Sequence, residues 1–376
     1  RDGEVTLRSN RREDGFTVSL KEIGYQGIEP GDLVVHGMDG FAGSIGISDS
    51  RGKSSPVLVV LDSSQDKKYL MYYLRSMAYN NVFLALSTGI RVRSCDLKWN
   101  KLADLLYLVP PIVEQHKLVS FLDEKCSEID AMLSKTRSSI EEYKKLKQAV
   151  ITQAVTKGVR GEREMKDSGV DWIGEIPEEW NKCKLKNISI DIGDGLHGTP
   201  KFDDSGEVYF INGNNFSSEY VEPKFDTKKL CLEESLNYPK PELTEQTIMI
   251  SLNGSYGKVC LYRYFPMLLG KSAGYITLLP SINRRYVRYY LSSTPAQIIM
   301  TLSLNGTTIP NLSLNTLYNF PTILPPASEQ AEIADYLDTK CAEIDGLIAK
   351  KEQLVKELES YKKSLIYEVV TGKREV

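Results

Sequence analysis

Residues 108–156 read LVPPIVEQHKLVSFLDEKCSEIDAMLSKTRSSIEEYKKLKQAVITQAVT, and residues 323–371 read ILPPASEQAEIADYLDTKCAEIDGLIAKKEQLVKELESYKKSLIYEVVT. The two stretches align without a gap at an offset of 215, with Pro110 on Pro325, Glu114 on Glu329, Leu122 on Leu337, Cys126 on Cys341 and Thr156 on Thr371. A duplication this long means that one unit has been doubled, so one job is expected at two places. Both copies are rich in Glu, Lys, Leu, Ala and Ile and hold no proline after the opening Pro-Pro. They therefore read as helices over 112–157 and 327–371. The Pro-Pro pairs stop the preceding strand and open the helix. Gly158 and Gly372 stand where the helices should end.

A heptad runs through both copies. In the first, Leu122, Ile129, Thr136, Tyr143 and Val150 take one seam position, and Cys126, Leu133, Ile140, Lys147 and Ala154 take the other. In the second, the same positions hold Leu337, Ile344, Lys351, Leu358 and Leu365, with Cys341, Ile348, Val355, Lys362 and Val369. A period of about 3.5 sustained over this length predicts a coiled coil. The shared seam, with Lys147 and Lys362 at one late position, favours the two helices packing on each other over a solvated charged helix.

The blocks outside the helices carry short strand-like runs: LVV at 33–35, VLVVL at 57–61, IMI at 248–250 and YITLL at 275–279. They share a weaker repeat, in which Lys68–Leu74 (KYLMYYL) matches Arg285–Leu291 (RYVRYYL), and Lys53-Ser54-Ser55 matches Lys271-Ser272-Ala273. The expected order is a first block over 1–108, a long helix over 109–157, a linker over 158–175, a second block over 176–323 and a long helix over 324–372. The second block opens at Ile176-Pro177-Glu178-Glu179-Trp180. By the repeat, the first block is expected to begin about 40 residues ahead of Arg1, so its front reads as absent from this sequence.

Composition excludes several classes. No apolar run reaches the roughly 18 residues of a membrane span, and no apolar signal stretch opens the chain. The six cysteines form no CxxC, so reduced thiols and a cytoplasmic location are expected. The three histidines, His36, His116 and His197, lie far apart, which argues against a His/Cys metal site. The formal net charge is −3. Residues 1–108 carry 14 Lys/Arg against 13 Asp/Glu, and residues 176–323 carry 14 against 14. Composition alone gives no sign of nucleic-acid binding.

Catalytic motifs are missing too. GISDSRGKS at Gly46–Ser54 places five residues between its outer glycines, where a phosphate loop needs four, and sits between strand runs. There is no G-x-S-x-G elbow, no glycine-rich turn between strand and helix, and no polar residue ahead of Pro-Pro in VPPI or LPPA. The sharper stretch is DIGDGLHGTPKF at Asp191–Phe202, an expected exposed turn after a strand that offers His197, Thr199 and Lys201. It is followed by Ile211-Asn212-Gly213-Asn214-Asn215, and asparagine amides suit the two-point reading of adenine edges. Asn305–Asn311 has the same polar character, and its counterpart Thr88–Arg93 is basic, where arginine suits guanine or phosphate.

Together these residues resemble the DNA-specificity subunit of type I restriction–modification systems. The resemblance spans nearly the whole chain. It rests on the duplicated PP-x-x-EQ…L-D-x-K-C-x-E-I-D helices, the I-P-x-x-W opening at Ile176–Trp180, the D-G-x-H-x-T-P-K stretch at Asp194–Lys201 and the paired YYL helices. It implies an α+β fold: two globular target-recognition domains held apart by two long antiparallel coiled-coil helices, in a pseudo-twofold repeat. It implies a binding function with no catalysis: reading a bipartite double-stranded DNA site and docking two modification (methyltransferase) subunits, joined by restriction (translocase/nuclease) subunits. No cofactor is then expected on this chain; S-adenosylmethionine, ATP and Mg are left to the partners. The DNA-contacting positions it implies are His197, Thr199, Lys201, Asn212, Asn214, Asn215, Asn253, Lys271, Ser272, Thr307, Thr308 and Asn311 in the second block. In the first they are His36, Lys53, Ser54, Arg91 and Arg93. The loop Gly31–Gly43 departs from the family pattern by carrying His36 and Asp39 where asparagine and a basic residue are usual. A coiled-coil scaffold that binds only proteins is the rival reading, and it predicts no DNA sequence preference.

Overall fold

The computed structural model describes residues 3–11, 22–86, 97–304 and 310–376. The first block carries β1 (Gln26–Ile28), β2 (Leu33–His36), β3 (Ile45–Ile47), β4 (Gly52–Ser54) and β5 (Leu58–Leu61). Helices α1 (Lys67–Tyr79), α2 (Val82–Ala85) and α3 (Trp99–Ala103) follow, and α4 (Ile112–Lys157) is the first long helix. Next come β6 (Met165–Asp167), β7 (Glu175–Pro177), β8 (Asn181–Lys184), β9 (Ser189–Asp194), β10 (Val208–Ile211), β11 (Lys229–Leu230) and the short α5 (Leu232–Leu236). The second block ends with β12 (Thr247–Ser251), β13 (Val259–Leu261), β14 (Met267–Leu269), β15 (Ala273–Leu278), α6 (Arg284–Ser292), α7 (Thr294–Leu302), α8 (Leu314–Tyr318) and β16 (Pro321–Leu324). The second long helix, α9, runs Ala327–Val370. The fold is α+β, as the sequence predicts. Gly158 and Gly372 follow the two long helices with φ of 82° and 72°, the left-handed conformation that ends a helix.

The chain divides into two compact units, residues 1–139 with 350–376, and residues 140–349. In the first, β3, β2 and β5 form an antiparallel sheet. Leu33, Val35, Ile45, Leu74 and Phe83 pack into one core with Leu118, Leu122, Cys126 and Ile129 of α4, and with Leu365, Ile366 and Val369 of α9. Here the start of α4 meets the end of α9, so the helices run antiparallel. Lys362 pairs with Asp130, and Arg137 pairs with Glu359.

The second unit repeats this plan. Its strand order β13-β12-β15 matches β3-β2-β5, and β9 extends the sheet beside β15. The register is kept: Val34 stands opposite Val60, and Met249 opposite Tyr275, each shifted by the repeat offset. A smaller sheet, β11-β10-β14, adds a parallel β10–β14 pair. Ile151, Ala154 and Val155 near the end of α4 pack with Ile333, Leu337 and Cys341 near the start of α9. Lys147 pairs with Asp345. All twenty seam positions named above are buried or half-buried. Lys147 and Lys362 are accommodated because each finds an aspartate on the facing helix.

The duplicated Glu-Gln of the PP-x-x-EQ motif has a structural use. Asp66 caps α1 by accepting from the N–H groups of Lys68 and Tyr69, and Asn283 caps α6 by accepting from those of Arg285 and Tyr286. The N–H of Asp66 donates to Gln115 Oε1 at 3.0 Å, and that of Asn283 donates to Gln330 Oε1 at 2.9 Å. The same glutamines donate through Nε2 to the Pro110 and Pro325 carbonyls. Tyr69 and Tyr286 donate to the carbonyls of Leu108 and Ile323. Tyr72 and Tyr289 donate to Asp123 and Asp338 at 2.8 and 2.7 Å. Each bond contributes about 1 kcal/mol, and leaving one of these buried groups unpaired costs about 1–3 kcal/mol. Burial pushes the Tyr69 phenol up to about 12, so it stays a donor.

Candidate nucleic-acid interface

One edge of the second unit's sheet gathers the ends of β9, β10, β12 and β14 and the start of β15. Backbone bonds fasten these ends together. Gly195 N–H donates to the Ala273 carbonyl at 3.1 Å, Leu196 N–H to that of Leu269 at 2.7 Å and Gly270 N–H to that of Ile211 at 2.8 Å. Leu252 N–H donates to the Ser272 carbonyl, and Leu312 N–H to that of Leu252. Two glycines allow this close approach. A Cβ on Gly195 would lie 2.3 Å from the Leu269 backbone, and one on Gly213 would lie 2.8 Å from the Ser251 Cβ.

The edge brings together most of the candidates of the second block. His197 is exposed and lies 2.6 Å from Asp194, through Nε2 and Oδ2. Asn214, Lys271 and Asn311 are exposed. Asn253 is half-buried, forms an antiparallel bridge with Asn311, and has an Oδ1 with no hydrogen-bond partner among the described residues. A buried acceptor without a partner carries a desolvation cost of roughly 1–3 kcal/mol and favours any donor that can reach it. Thr199 and Lys201 are exposed on the stretch that leads away toward α5. The Lys201 N–H donates to Glu234 Oε1 at 3.0 Å and, with the Tyr238 hydroxyl, holds the Glu234 carboxyl below its ordinary value.

Three candidates serve the frame instead. Asn215 is 2% exposed, and its amide is fully engaged: Oδ1 accepts from Asn212 N–H, and Nδ2 donates to Thr227 Oγ1 at 2.8 Å and the Glu222 carbonyl. The expectation that Asn215 faces a ligand is corrected accordingly. Ser272 Oγ accepts from Gly213 N–H and donates to Asn212 Oδ1, both at 3.0 Å, which commits Ser272 and half of the Asn212 amide to holding the turn.

Sequence reasoning passed over Lys258. It is exposed at the start of β13, and its backbone is tied to Ser251 by two bonds, so it stands at the same edge. The signal was its place five residues after Asn253, on the return of the hairpin.

The first unit shows less. His36 ends β2, half-buried, and its Nδ1 accepts from Asp39 N–H at 3.0 Å. Lys53 and Ser54 belong instead to the separate β1–β4 pair. There Lys53 meets Glu22 at 2.8 Å, and the Ser54 hydroxyl is buried without a partner among the described residues. Arg91, Arg93, Thr307 and Thr308 lie outside the described residues. Among the described residues no His/Cys/Asp/Glu group could hold a metal ion, and no helix is long and apolar enough to cross a membrane.

Comparison with known proteins follows the same line. A family model, the type I restriction modification DNA specificity domain, matches residues 177–357. The chain is 27% identical over 310 residues to the putative type I restriction enzyme MjaX specificity subunit of Methanocaldococcus jannaschii, across 81% of this chain and 67% of that protein. It is 27% identical over 334 residues to the MjaVIII specificity subunit of the same organism, across 86% of this chain and 74% of that protein. It is 23% identical to the EcoBI specificity subunit of Escherichia coli, across 85% and 69%. In fold it is similar to a chain from a structure described as the basis of complex assembly and conformational transition of the type I R-M system. The TM-score is 0.73 at 16% identity, across 92% of this chain and 83% of that one. It also resembles the HsdS subunit of Thermoanaerobacter tengcongensis, with a TM-score of 0.50 at 17% identity, across 93% and 82%.

Proposed function

The chain belongs to the family of type I restriction–modification DNA-specificity subunits, the non-catalytic DNA-recognition components of those systems, and we propose that each of its two units reads one half of a bipartite duplex site. The observation that carries this reading is the fastened edge of the second unit. There Asn214, Asn253, His197, Lys258, Lys271 and Asn311 stand on a backbone locked by cross-strand bonds. The asparagine amides suit two-point contacts with adenine N6 and N7, and the lysines suit phosphates, which position a protein without specifying sequence. The block is neutral as a whole, so sequence-independent affinity is modest, and basic partners supply the rest of the clamp. The long helices and the flanks of the blocks dock two modification subunits, which bind S-adenosylmethionine, while restriction subunits bring ATP and Mg. The whole complex works in the cytoplasm, where its DNA is.

The test is binding by the assembled methyltransferase to a duplex carrying the split site that methylome sequencing of the host reveals. Lys271→Ala should weaken specific and non-specific duplexes alike and flatten the salt dependence by about one phosphate contact. Asn214→Ala should weaken only the specific one. Equal loss on both duplexes for Asn214→Ala, with no split modified motif in the host, would leave the protein-scaffold reading in its place.

A further inference from the structure

One turn of the second unit carries an apolar side chain that its own core does not use. Residues 221–230 read VEPKFDTKKL, without a glycine. Phe225, at the tip, is fully exposed, more so than any other large apolar side chain among the described residues. Single exposed apolar residues are common on protein surfaces. Phe225 differs in how it is held. The Lys224 N–H donates to Thr227 Oγ1 at 2.7 Å, and the Thr227 N–H donates to the Lys224 carbonyl at 3.0 Å, which closes the turn. Pro223 fixes the backbone just ahead of it.

The turn belongs to the candidate interface. β11 runs antiparallel to β10, with Val208 opposite Leu230 and Tyr209 opposite Lys229, and the Phe210 N–H donates to the Lys228 carbonyl at 2.9 Å. Residues 224–227 lead into β11, so they stand where β10 ends and the Asn212–Asn215 turn begins. β14 runs parallel to β10, so Lys271, just past its end, comes to the same edge. One buried amide joins the two turns. Asn215 accepts from Asn212 N–H on one side and donates to Thr227 Oγ1 and the Glu222 carbonyl on the other. Asn214 and Phe225 are thus carried by one frame, and they reach positions a few base-pair steps apart, at about 3.4 Å per step. Lys224 and Lys228 are exposed beside the ring, but so are Glu222 and Asp226. These charges balance, so phosphate attraction does not account for the turn; the ring is what it presents.

On the reading of this edge as a DNA interface, we propose that Phe225 is a specificity-determining residue: its ring packs on the C5 methyl of a thymine in the major groove, close to the adenine that Asn214 reads. That methyl is what distinguishes thymine from the other bases in the major groove, and apolar side chains recognise it by contact. Cytosine presents an amino donor there instead, and a phenyl ring would leave that donor without a partner. An asparagine amide on adenine and a ring on thymine both address the major groove, so one rigid frame serves both. A side chain on a closed turn also has less freedom to lose on binding.

The probe is the assembled methyltransferase on the split-site duplex, with each thymine of the site replaced in turn by deoxyuridine, which lacks only the C5 methyl. One of these replacements should weaken binding by the parent about fourfold, the worth of one buried methyl, and should make no difference to Phe225→Ala. Phe225→Ala should itself bind the specific duplex at least fourfold more weakly, leave the non-specific duplex unaffected and keep the parent's melting curve, because the ring is exposed. A parent insensitive to every deoxyuridine, or a Phe225→Ala complex as sensitive as the parent, would overturn the proposal. So would weaker assembly of Phe225→Ala with the modification subunits at unchanged DNA discrimination, which would assign the ring to a protein contact. Asn214→Ala, measured alongside, separates the two failures. If it loses discrimination while the deoxyuridine tests fail, only the thymine contact falls; if it also binds both duplexes as the parent does, the reading of the edge falls with it.

Discussion

Lys362 holds its ammonium 2.7 Å from each carboxylate oxygen of Asp130, on the facing antiparallel helix. The same two repeat positions meet in the second unit with the helices exchanged, where Lys147 lies 2.7 and 2.6 Å from the oxygens of Asp345. A seam lysine that reads as a flaw in the heptad is thus a register pin. Lys362→Asp should lower stability by roughly 0.5–1 kcal/mol, since the pair is partly exposed, and adding Asp130→Lys should recover most of that loss. A denaturant-unfolding double-mutant cycle checks this; a double variant no more stable than the single one would remove the pin.

Glu329 is fully buried, where it accepts the indole N–H of Trp180 and a guanidinium N–H of Arg163. Glu329→Gln leaves that guanidinium beside a neutral amide inside the protein and should cost about 3–5 kcal/mol of stability. Urea unfolding followed by tryptophan fluorescence measures the loss; one below about 1 kcal/mol, as for an exposed pair, would mean that the carboxylate is not held dry.

Asn214 and Asn215 are neighbours with opposite expected behaviour. Asn215→Ala unpairs Asn212 N–H and Thr227 and should cost about 1–3 kcal/mol of stability. Asn214→Ala should leave the melting temperature in place and lower discrimination between the specific and non-specific duplex by roughly 1–3 kcal/mol. A reversal of the two phenotypes would mean that the turn presents the other amide.

Glu234 gives the site loop a pH dependence. The Lys201 N–H, and then the Tyr238 hydroxyl, depress its folded pKa below the ordinary 4.5, so its contribution is present above that value and is lost as pH falls through the folded one. Glu234→Gln should therefore melt lower than the parent at neutral pH, and the gap should close in acid. A gap that persists unchanged below the folded pKa would assign the effect to packing.

Thiol reactivity should follow burial. Burial pushes the Cys126, Cys260 and Cys341 thiols up, Cys260 to about 12, and all three are buried, whereas Cys231 is half-buried. Iodoacetamide at neutral pH should modify Cys231 well before those three, as read by peptide mass mapping. Early labelling of Cys126 or Cys341 would mean that the helix seam opens.

The long helices and the duplication were legible because their signals are local: a heptad, a Pro-Pro opening and a glycine stop. The strands at 33–35, 57–61, 248–250 and 275–279 were legible for the same reason. The β11-β10-β14 sheet was not, because the pairing of Tyr209 with Met267 is decided by register between distant segments. Asn212, Asn214 and Asn215 look interchangeable in sequence. Only the placement of Thr227 and Glu222 turns Asn215 inward while Asn214 stays out. Likewise PP-x-x-EQ shows only a charged Glu329, and its burial comes from the distant Trp180 and Arg163 that meet it.

Gly195 and Gly213, with almost no room for a Cβ, separate what can change at the sheet edge from what cannot. A mutation at either would push strands apart and be removed by selection on folding. Changes at Asn214, Lys271 or His197 touch no strand junction and leave the frame intact. On the proposed reading, drift in this chain is thereby channelled: lineages can wander in target preference along a few outward side chains while the scaffold beneath them is inherited unaltered.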